Sequence, residues 1–155
     1  MPVIDGGRKY NTNDNFLVEI DGISEVSFAT CSEIKGEIAV VEYNSGGSVT
    51  ATKHPGRISF PDVTLERGSV AADSEIYQWF TETVDTFANA GANEPLFKRT
   101  LDIVQIDRDR TELTRWRLRN CWISSFSTGA WDGSSGEVLM ESMTIVYEGF
   151  EKIIP

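Results

Sequence analysis

The chain has 155 residues, of which 40% are hydrophobic, 10% aromatic and 25% charged. This length suits a single domain, and the aromatic content argues against intrinsic disorder. No apolar run approaches the roughly 20 residues that a bilayer-spanning helix needs. Residues 1–10 lack the apolar core of a secretory signal. We therefore expect one soluble domain over residues 1–155, made in the cytoplasm and without direct membrane insertion.

The charge is acidic overall, with 14 Lys and Arg against 24 Asp and Glu and a formal net charge of −10. A protein that neutralises a nucleic-acid backbone needs the opposite sign, at least locally. Residues 98–119 hold seven basic and four acidic side chains, so this segment carries +3 and the remainder −13. A basic segment on an acidic chain can contact another copy of the chain. The candidate intersubunit arginines are Arg108, Arg110, Arg115, Arg117 and Arg119.

The first half of the chain predicts mainly strands. Residues 1–14 are polar and predict a flexible N-terminal arm. Strand signals follow at residues 16–20, 24–34 and 38–43, the first of them ended by the turn pair Asp21-Gly22. Residues 44–56 are rich in Gly and Ser and predict an extended loop. Residues 58–65 predict another strand, in which Pro61 favours an edge or a bulge.

One amphipathic helix is predicted over residues 73–90. Its apolar side chains recur at spacings of three and four, which is one face of a 3.6-residue period. Asp73 or Ser74 can cap its first turn, and Gly91 can end it. The aromatic stripe favours packing on a sheet over binding of a cofactor. The predicted packing core of the helix consists of Ile76, Trp79, Phe80, Val84 and Phe87.

Three further strands are predicted at residues 100–106, 113–123 and 137–151. A Gly- and Ser-rich loop around Trp131 separates the last two. Seven or eight strands with one helix predict a mainly β fold, an antiparallel β-sandwich or barrel with one α-helix.

No catalytic constellation is present in the sequence. His54 is the only histidine, and no Ser or Cys near it has the spacing of a nucleophile elbow. Cys31 and Cys121 are ninety residues apart, which is not a metal-ligand spacing, and we expect both to be free thiols. Residues 107–112 begin like a calcium loop, but Leu118 stands where the bidentate Glu is required. Residues 129–136 contain no lysine for a phosphate loop. The sequence predicts no enzyme, no metal and no cofactor.

An ordered set of segments runs through nearly the whole chain. They are FLVEIDGI at 16–23, EVSF at 25–28, VEYNSGG at 41–47, KHPG at 53–56, ISFPDVTLERG at 58–68, IYQWF at 76–80, WRLRNCW at 116–122 and ESMTIVYEG at 141–149. Together they resemble the tail-tube, or inner-tube, protein family of contractile phages and phage-tail-like contractile injection systems, over about residues 15–152.

The resemblance implies a structural subunit. Six copies would form a ring and share strands in a continuous inner barrel, and rings would stack helically into a hollow conduit inside a contractile sheath. The implied partners are other copies of the chain, the sheath protein, the baseplate and spike hub, a tail terminator, and a protein or DNA cargo in the lumen. The particle would be a virion tail or an injection particle, released or membrane-anchored. The extended loop would contact the neighbouring ring through Tyr43, Asn44, Ser45, Gly46, Gly47, Lys53, His54 and Arg57.

Two alternatives stay open at this stage. The first is a type VI secretion-like tube or a tube-initiating baseplate protein of the same fold. The second is a monomeric β-sandwich module that binds a ligand, for example a sugar held by Trp122 or Trp131. The net charge of −10 further suggests an acidic lumen wall along which an anionic cargo would slide.

Overall fold

A computed structural model describes residues 3–5, 8–70, 74–88 and 97–153. This part of the chain contains twelve strands and one helix. In chain order they are β1 (Val3–Asp5), β2 (Arg8–Tyr10), β3 (Phe16–Ile20), β4 (Ile23–Val26), β5 (Thr30–Cys31), β6 (Glu37–Tyr43), β7 (Thr52–Ser59), β8 (Val63–Gly68), α1 (Glu75–Ala88), β9 (Arg99–Ile106), β10 (Glu112–Ser127), β11 (Met140–Val146) and β12 (Gly149–Ile153).

The strands form one large sheet and two separate hairpins. The large sheet has the order β4-β3-β9-β10-β11-β8-β5, and β12 adds to β10. β1 pairs only with β2 and β6 only with β7 within this arrangement, and the pairings throughout are antiparallel. The predicted class, mainly β and antiparallel with one helix, is confirmed. The sharing of strands between subunits stays a prediction.

The 16-residue strand β10 lets the large sheet fold over into two layers. Its first half pairs with β9 and β12, and its second half pairs with β11. Between these halves the register with β9 shifts after Leu118, and Asn120 adopts a positive φ of 53°. Irregularities of this kind bend a strand and increase its twist. The bend brings β3 and β9 over β8 and β11, because side chains from all four strands share one core cluster.

The core is formed by apolar side chains that alternate along these strands. In β8, for example, Val63 and Leu65 are buried, while Thr64 between them and Glu66 after them are half-buried. The largest fully buried side chains are Trp79, Leu65, Ile76, Leu101, Leu118, Ile123, Met143, Ile145, Val18, Val63 and Cys121.

Helix α1 closes one side of this core. Ile76 and Trp79 are fully buried, and the Trp79 indole N–H donates to the Phe97 carbonyl oxygen at 2.6 Å. Phe80 stacks on Phe126, with ring centroids 6.0 Å apart. The inclusion of Val84 in the packing core is wrong, because its side chain is 51% exposed and Thr83 is buried instead.

The angular positions of these residues explain the error. With a step of 100° per residue, Thr83 lies near the middle of the arc set by Ile76, Trp79 and Phe80, whereas Val84 lies about 40° outside it. The side chain of Phe87 and the predicted terminal residues Asp73 and Gly91 lie outside the described residues. The predicted helix over residues 73–90 can therefore be compared with α1 (Glu75–Ala88) only where the structure describes the chain.

Two predicted strands are interrupted. The 24–34 prediction divides into β4 and the two-residue β5. The 137–151 prediction divides at residues 147–148 into β11 and β12, where the Glu148 N–H donates to the Arg119 carbonyl. The break places β12 on the first half of β10 while β11 stays on the second half.

Candidate assembly surfaces

The hairpin β6–β7 stands apart from the core. Every residue of β6 is exposed, and in β7 only Gly56 is partly covered. Its large apolar side chains are Ile38, Val40, Val41, Tyr43 and Ile58, each more than half exposed. An apolar concentration of this kind on one projecting element is typical of a protein–protein contact.

The base of the hairpin is fixed to the body of the chain. The Tyr147 hydroxyl donates to the Lys35 carbonyl at 3.1 Å and accepts from the Lys35 N–H at 3.4 Å. The Lys35 ammonium lies 2.7 Å from a Glu37 carboxylate oxygen. Gly36 is close to the ring of Phe150, so that a Cβ at this position would lie 3.1 Å from it. The hairpin therefore leaves the body in a defined direction.

The eight predicted ring-stacking residues divide between the strands and their connection. Tyr43 ends β6, the four residues 44–47 lie in the connection, and Lys53, His54 and Arg57 belong to β7. The prediction of an extended loop over 44–56 is therefore wrong for residues 52–56. These residues pair with β6, as in Tyr43 with Thr52 and Val41 with His54. The loop itself is residues 44–51.

Two of the predicted intersubunit arginines, Arg115 and Arg117 on β10, bind carboxylates within the chain. The buried carboxylate of Asp102 accepts from Arg115 Nη1 at 2.6 Å and from Arg117 Nε at 3.0 Å. Arg115 also binds Glu19 and Glu112. One row of register positions across β3, β9, β10 and β12 holds Glu19, Asp102, Arg117 and Glu151.

This arrangement sets the ionisation of the cluster. Burial would raise the pKa of Asp102, but hydrogen bonds from Arg117 and Arg115 outweigh burial and hold that pKa below its ordinary value of 3.8. Hydrogen bonds that Arg115 donates to Glu19, then to Asp102 and Glu112, raise the pKa of Arg115 despite its partial burial. Asp102 is thus an ionised carboxylate at neutral pH.

The other three predicted intersubunit arginines are exposed. Arg108 and Arg110 lie in the turn between β9 and β10, where Arg110 has a φ of 66°. Arg119 lies on β10 with its guanidinium against Gly149, where a Cβ would collide with it at 2.3 Å. The contact of these three arginines with another copy stays a prediction.

Sequence reasoning missed the buried ion pairs. Besides Asp102, it did not identify Arg67, whose Nε donates to Glu141 at 3.1 Å while its side chain is 4% exposed. A charged residue flanked by apolar residues in a strand, such as Asp102 between Leu101 and Ile103, could have indicated a buried ion pair. That signal does not name the partner, because Arg67 and Glu141 are 74 residues apart.

The described residues offer few groups suited to binding a metal or reacting with a ligand. No group of three or more His, Cys, Asp or Glu residues capable of holding a metal occurs among the described residues. His54 is exposed in β7. Burial raises the pKa of the Cys31 thiol to about 11 and that of Cys121 to about 12, so neither is a reactive thiolate at neutral pH. The described part of the chain also has no helix long and apolar enough to cross a membrane.

A family model described as "T4-like virus tail tube protein gp19" matches residues 12–151. The chain belongs to this tail tube family. Its role is accordingly that of a structural tube subunit. A search of curated proteins returned no match.

Solved structures share the fold of this tail tube chain. A chain from the "PVC sheath-tube complex in extended state" of an extracellular contractile injection system is 18% identical, with a TM-score of 0.78, covering 94% of this chain and 92% of that one. A chain from the anti-feeding prophage tube-terminating cap is 21% identical, with a TM-score of 0.77 and coverages of 94% and 91%. Hcp1 from Flavobacterium johnsoniae is 14% identical, with a TM-score of 0.53 and coverages of 89% and 94%.

Proposed function

We propose that the chain builds the rigid inner tube of a contractile tail or injection system, as hexameric rings that stack helically into a hollow conduit. The observation that carries this proposal is the tail tube family match over residues 12–151. A tube subunit needs surfaces that bind other copies of itself. The projecting hairpin β6–β7, with five large apolar side chains in solvent, is such a surface.

The sheet edges support the same function. β4 and β5 end the path of the large sheet, and among the described strands β12 pairs only with β10. Free edges present unpaired N–H and C=O groups, which tend to pair with another chain. Closing a ring through a head-to-tail interface would cover these edges, and closure also requires two different, complementary surfaces on each subunit. The exposed arginines Arg108, Arg110 and Arg119 on an otherwise acidic chain would contribute to one of them.

The same proposal implies the binding partners of the tube and the particle to which it belongs. The tube would bind a contractile sheath, a baseplate with its spike hub and a tail terminator, and its lumen would hold a protein effector or DNA. Related chains in structures described as sheath-tube complex, tube-terminating cap and baseplate support these partners. The subunit would assemble in the cytoplasm, become part of a phage tail or tail-like particle, and perform no catalysis.

A type VI secretion-like tube is the second candidate, since Hcp1 shares the fold. The higher TM-scores with the PVC and anti-feeding prophage chains favour the injection-system tube. Both candidates are tubes, and they differ in the particle that surrounds the tube.

Negative-stain electron microscopy of the purified chain over a concentration series tests the proposal. We expect rings or hollow tubes, and a sedimenting mass well above the 17.2 kDa of one chain. Chains that stay monomeric at every concentration, and also with baseplate and sheath partners present, would contradict the tube function. A monomer that binds a sugar through exposed Trp131 would then be the better account.

A further inference from the structure

One half of the large sheet presents a face of small hydroxyl side chains. In this half the end of β10 pairs with β11, β11 with β8, and β8 with β5. Directly paired residues point to the same side of a sheet, as do residues two apart along a strand. The side away from the core therefore carries two neighbouring rows, which we call the hydroxyl face. The rows are Thr30, Glu66, Ser142 and Ser127, and then Ser32, Thr64, Thr144 and Ser125.

The hydroxyl face is nearly free of charge. Seven of its eight residues are Ser or Thr, and the eighth is Glu66. All eight are exposed or half-buried. Among the described residues of these strands, large apolar side chains on this side lie at its margins, where Met140 follows the first row and Trp122 pairs with Val146 beyond the second. Hydroxyl groups both donate and accept hydrogen bonds and attract neither sign of charge strongly.

The outward side of the other half of the sheet has a different character. Asp102 forms ion pairs there with Arg115 and Arg117. Val104 pairs with Arg115 and lies outside the core cluster, yet its side chain is only 2% exposed. That side is therefore already covered by other side chains of the chain and bears charges of both signs. The hydroxyl face is the one that stays open and close to neutral.

The four strands that carry the hydroxyl face can continue into other copies at both of their edges. β5 ends the path of the sheet on one side. On the other side, β9 pairs with β10 only as far as Cys121, so that among the described strands residues 122–127 have no partner on the side of β9. Unpaired strand edges tend to pair with another chain. Copies joined at these edges would form one continuous wall with the hydroxyl face along one side of it.

On the basis of the tube function proposed above, we propose that the hydroxyl face is the inner wall of the conduit and that it lets cargo pass whatever the sign of the cargo's charge. Each copy adds one carboxylate, that of Glu66, to the two rows of this wall. The wall is thus close to neutral although the chain carries a formal net charge of −10, most of which then lies elsewhere on the subunit. This differs from the acidic wall, selective for anionic cargo, that the net charge alone suggests.

Tubes assembled from the parent chain test both parts of the inference. We expect a cryo-electron microscopy reconstruction to place Ser142 and Thr144 on the lumen side. Small gold clusters coated with either carboxylates or amines, added at low ionic strength, should enter the lumen to the same extent within about threefold. A hydroxyl face on the outside of the tube or inside a contact between copies would overturn the inference. A larger preference of the parent tubes for one coating would overturn it as well.

Opposite substitutions at one position of the wall sharpen the test. Ser142→Lys should favour the carboxylate clusters and Ser142→Glu the amine clusters, each by more than about threefold. Gln78→Lys and Gln78→Glu are the matched controls, because Gln78 is exposed on α1 rather than on the hydroxyl face, and their tubes should load like the parent. Equal loading of both clusters in tubes of the Ser142 variants would contradict the inference.

A Ser142 variant that does not assemble leaves the parent reconstruction and the parent loading to decide. Parent chains that form no tubes, with baseplate and sheath partners present, would overturn the proposed function itself. Parent tubes with a different inner wall overturn this inference alone.

Discussion

Arg115 Nη1 lies 2.6 Å from Asp102 Oδ2, and the Asp102 side chain is only 8% exposed. The same carboxylate accepts two hydrogen bonds from Arg117. A buried carboxylate between two guanidiniums holds β9 against β10 by interactions of the charged side chains, in addition to the backbone ladder. Part of the basic segment thus stabilises the subunit itself.

Asp102→Asn should lower the free energy of unfolding by about 2 kcal/mol. The amide keeps the shape of the carboxylate but cannot satisfy both guanidiniums, and it removes the negative charge between them. Urea-induced unfolding at pH 7 measures the loss. Glu151→Gln is the matched control, because Glu151 faces Arg117 from β12 but is exposed, so its effect should stay within about 0.5 kcal/mol. Equal losses for both variants would contradict the role assigned to the buried carboxylate.

The Asp102 contribution should also depend on pH with a definite sign. Hydrogen bonds from Arg117 and Arg115 hold its folded-state pKa below the ordinary 3.8 despite the opposing effect of burial. The stability it provides is therefore complete above the unfolded-state pKa and is lost as the pH falls through the lower folded-state pKa. The difference in unfolding free energy between the parent and Asp102→Asn should be constant near neutral pH and shrink below about pH 4. A difference that persists undiminished at pH 2 would refute this assignment.

Trp79→Ala should destabilise the subunit by about 3–5 kcal/mol, because it removes a fully buried indole and its hydrogen bond to Phe97. Val84→Ala, on the exposed side of the same helix, should change stability by less than about 0.5 kcal/mol. Thermal or urea denaturation of the two variants distinguishes the packed face of α1 from its free face. Near-parental stability of Trp79→Ala would show that the helix is misplaced.

Replacing residues 44–51 by Asn-Gly should leave a folded subunit that forms rings but no longer stacks. Tyr43 pairs with Thr52, so a two-residue turn can join β6 to β7 without changing their register. Electron microscopy of the trimmed chain, beside the parent, measures ring and tube formation. Normal tubes would show that ring stacking does not use the residues of this loop.

Most strands and the helix could be predicted from the sequence, because turn residues and apolar spacing are local features. The turn pair Asp21-Gly22 ends β3, with Gly22 at a φ of 78°, and Pro61 falls between β7 and β8. The spacing of Ile76, Trp79 and Phe80 located the helix. The same local pattern misplaced Val84, because the exact direction from which the sheet covers α1 does not appear in the spacing of the helix residues.

Long-range partners were not predictable in the same way. Arg115 reaches Glu19 across 96 positions in the chain, and which carboxylate it contacts depends on the registers of β3, β9 and β10. The segment 52–56 was predicted as a loop because its Gly and Pro residues break strands locally. In the fold it pairs with β6, where Pro55 lies opposite Val40 beside a shift in register.

The sequence by itself determined the mainly β class, the position of the helix and the membership in the tail tube family, since periodicity and ordered motifs are properties of short segments. Only the tertiary structure decided that Arg115 and Arg117 are paired inside the chain, that Thr83 rather than Val84 is buried, and that β6–β7 projects from the body with large apolar side chains exposed. Each of these depends on which strands meet and in what register, and that is fixed by the packing of the whole chain.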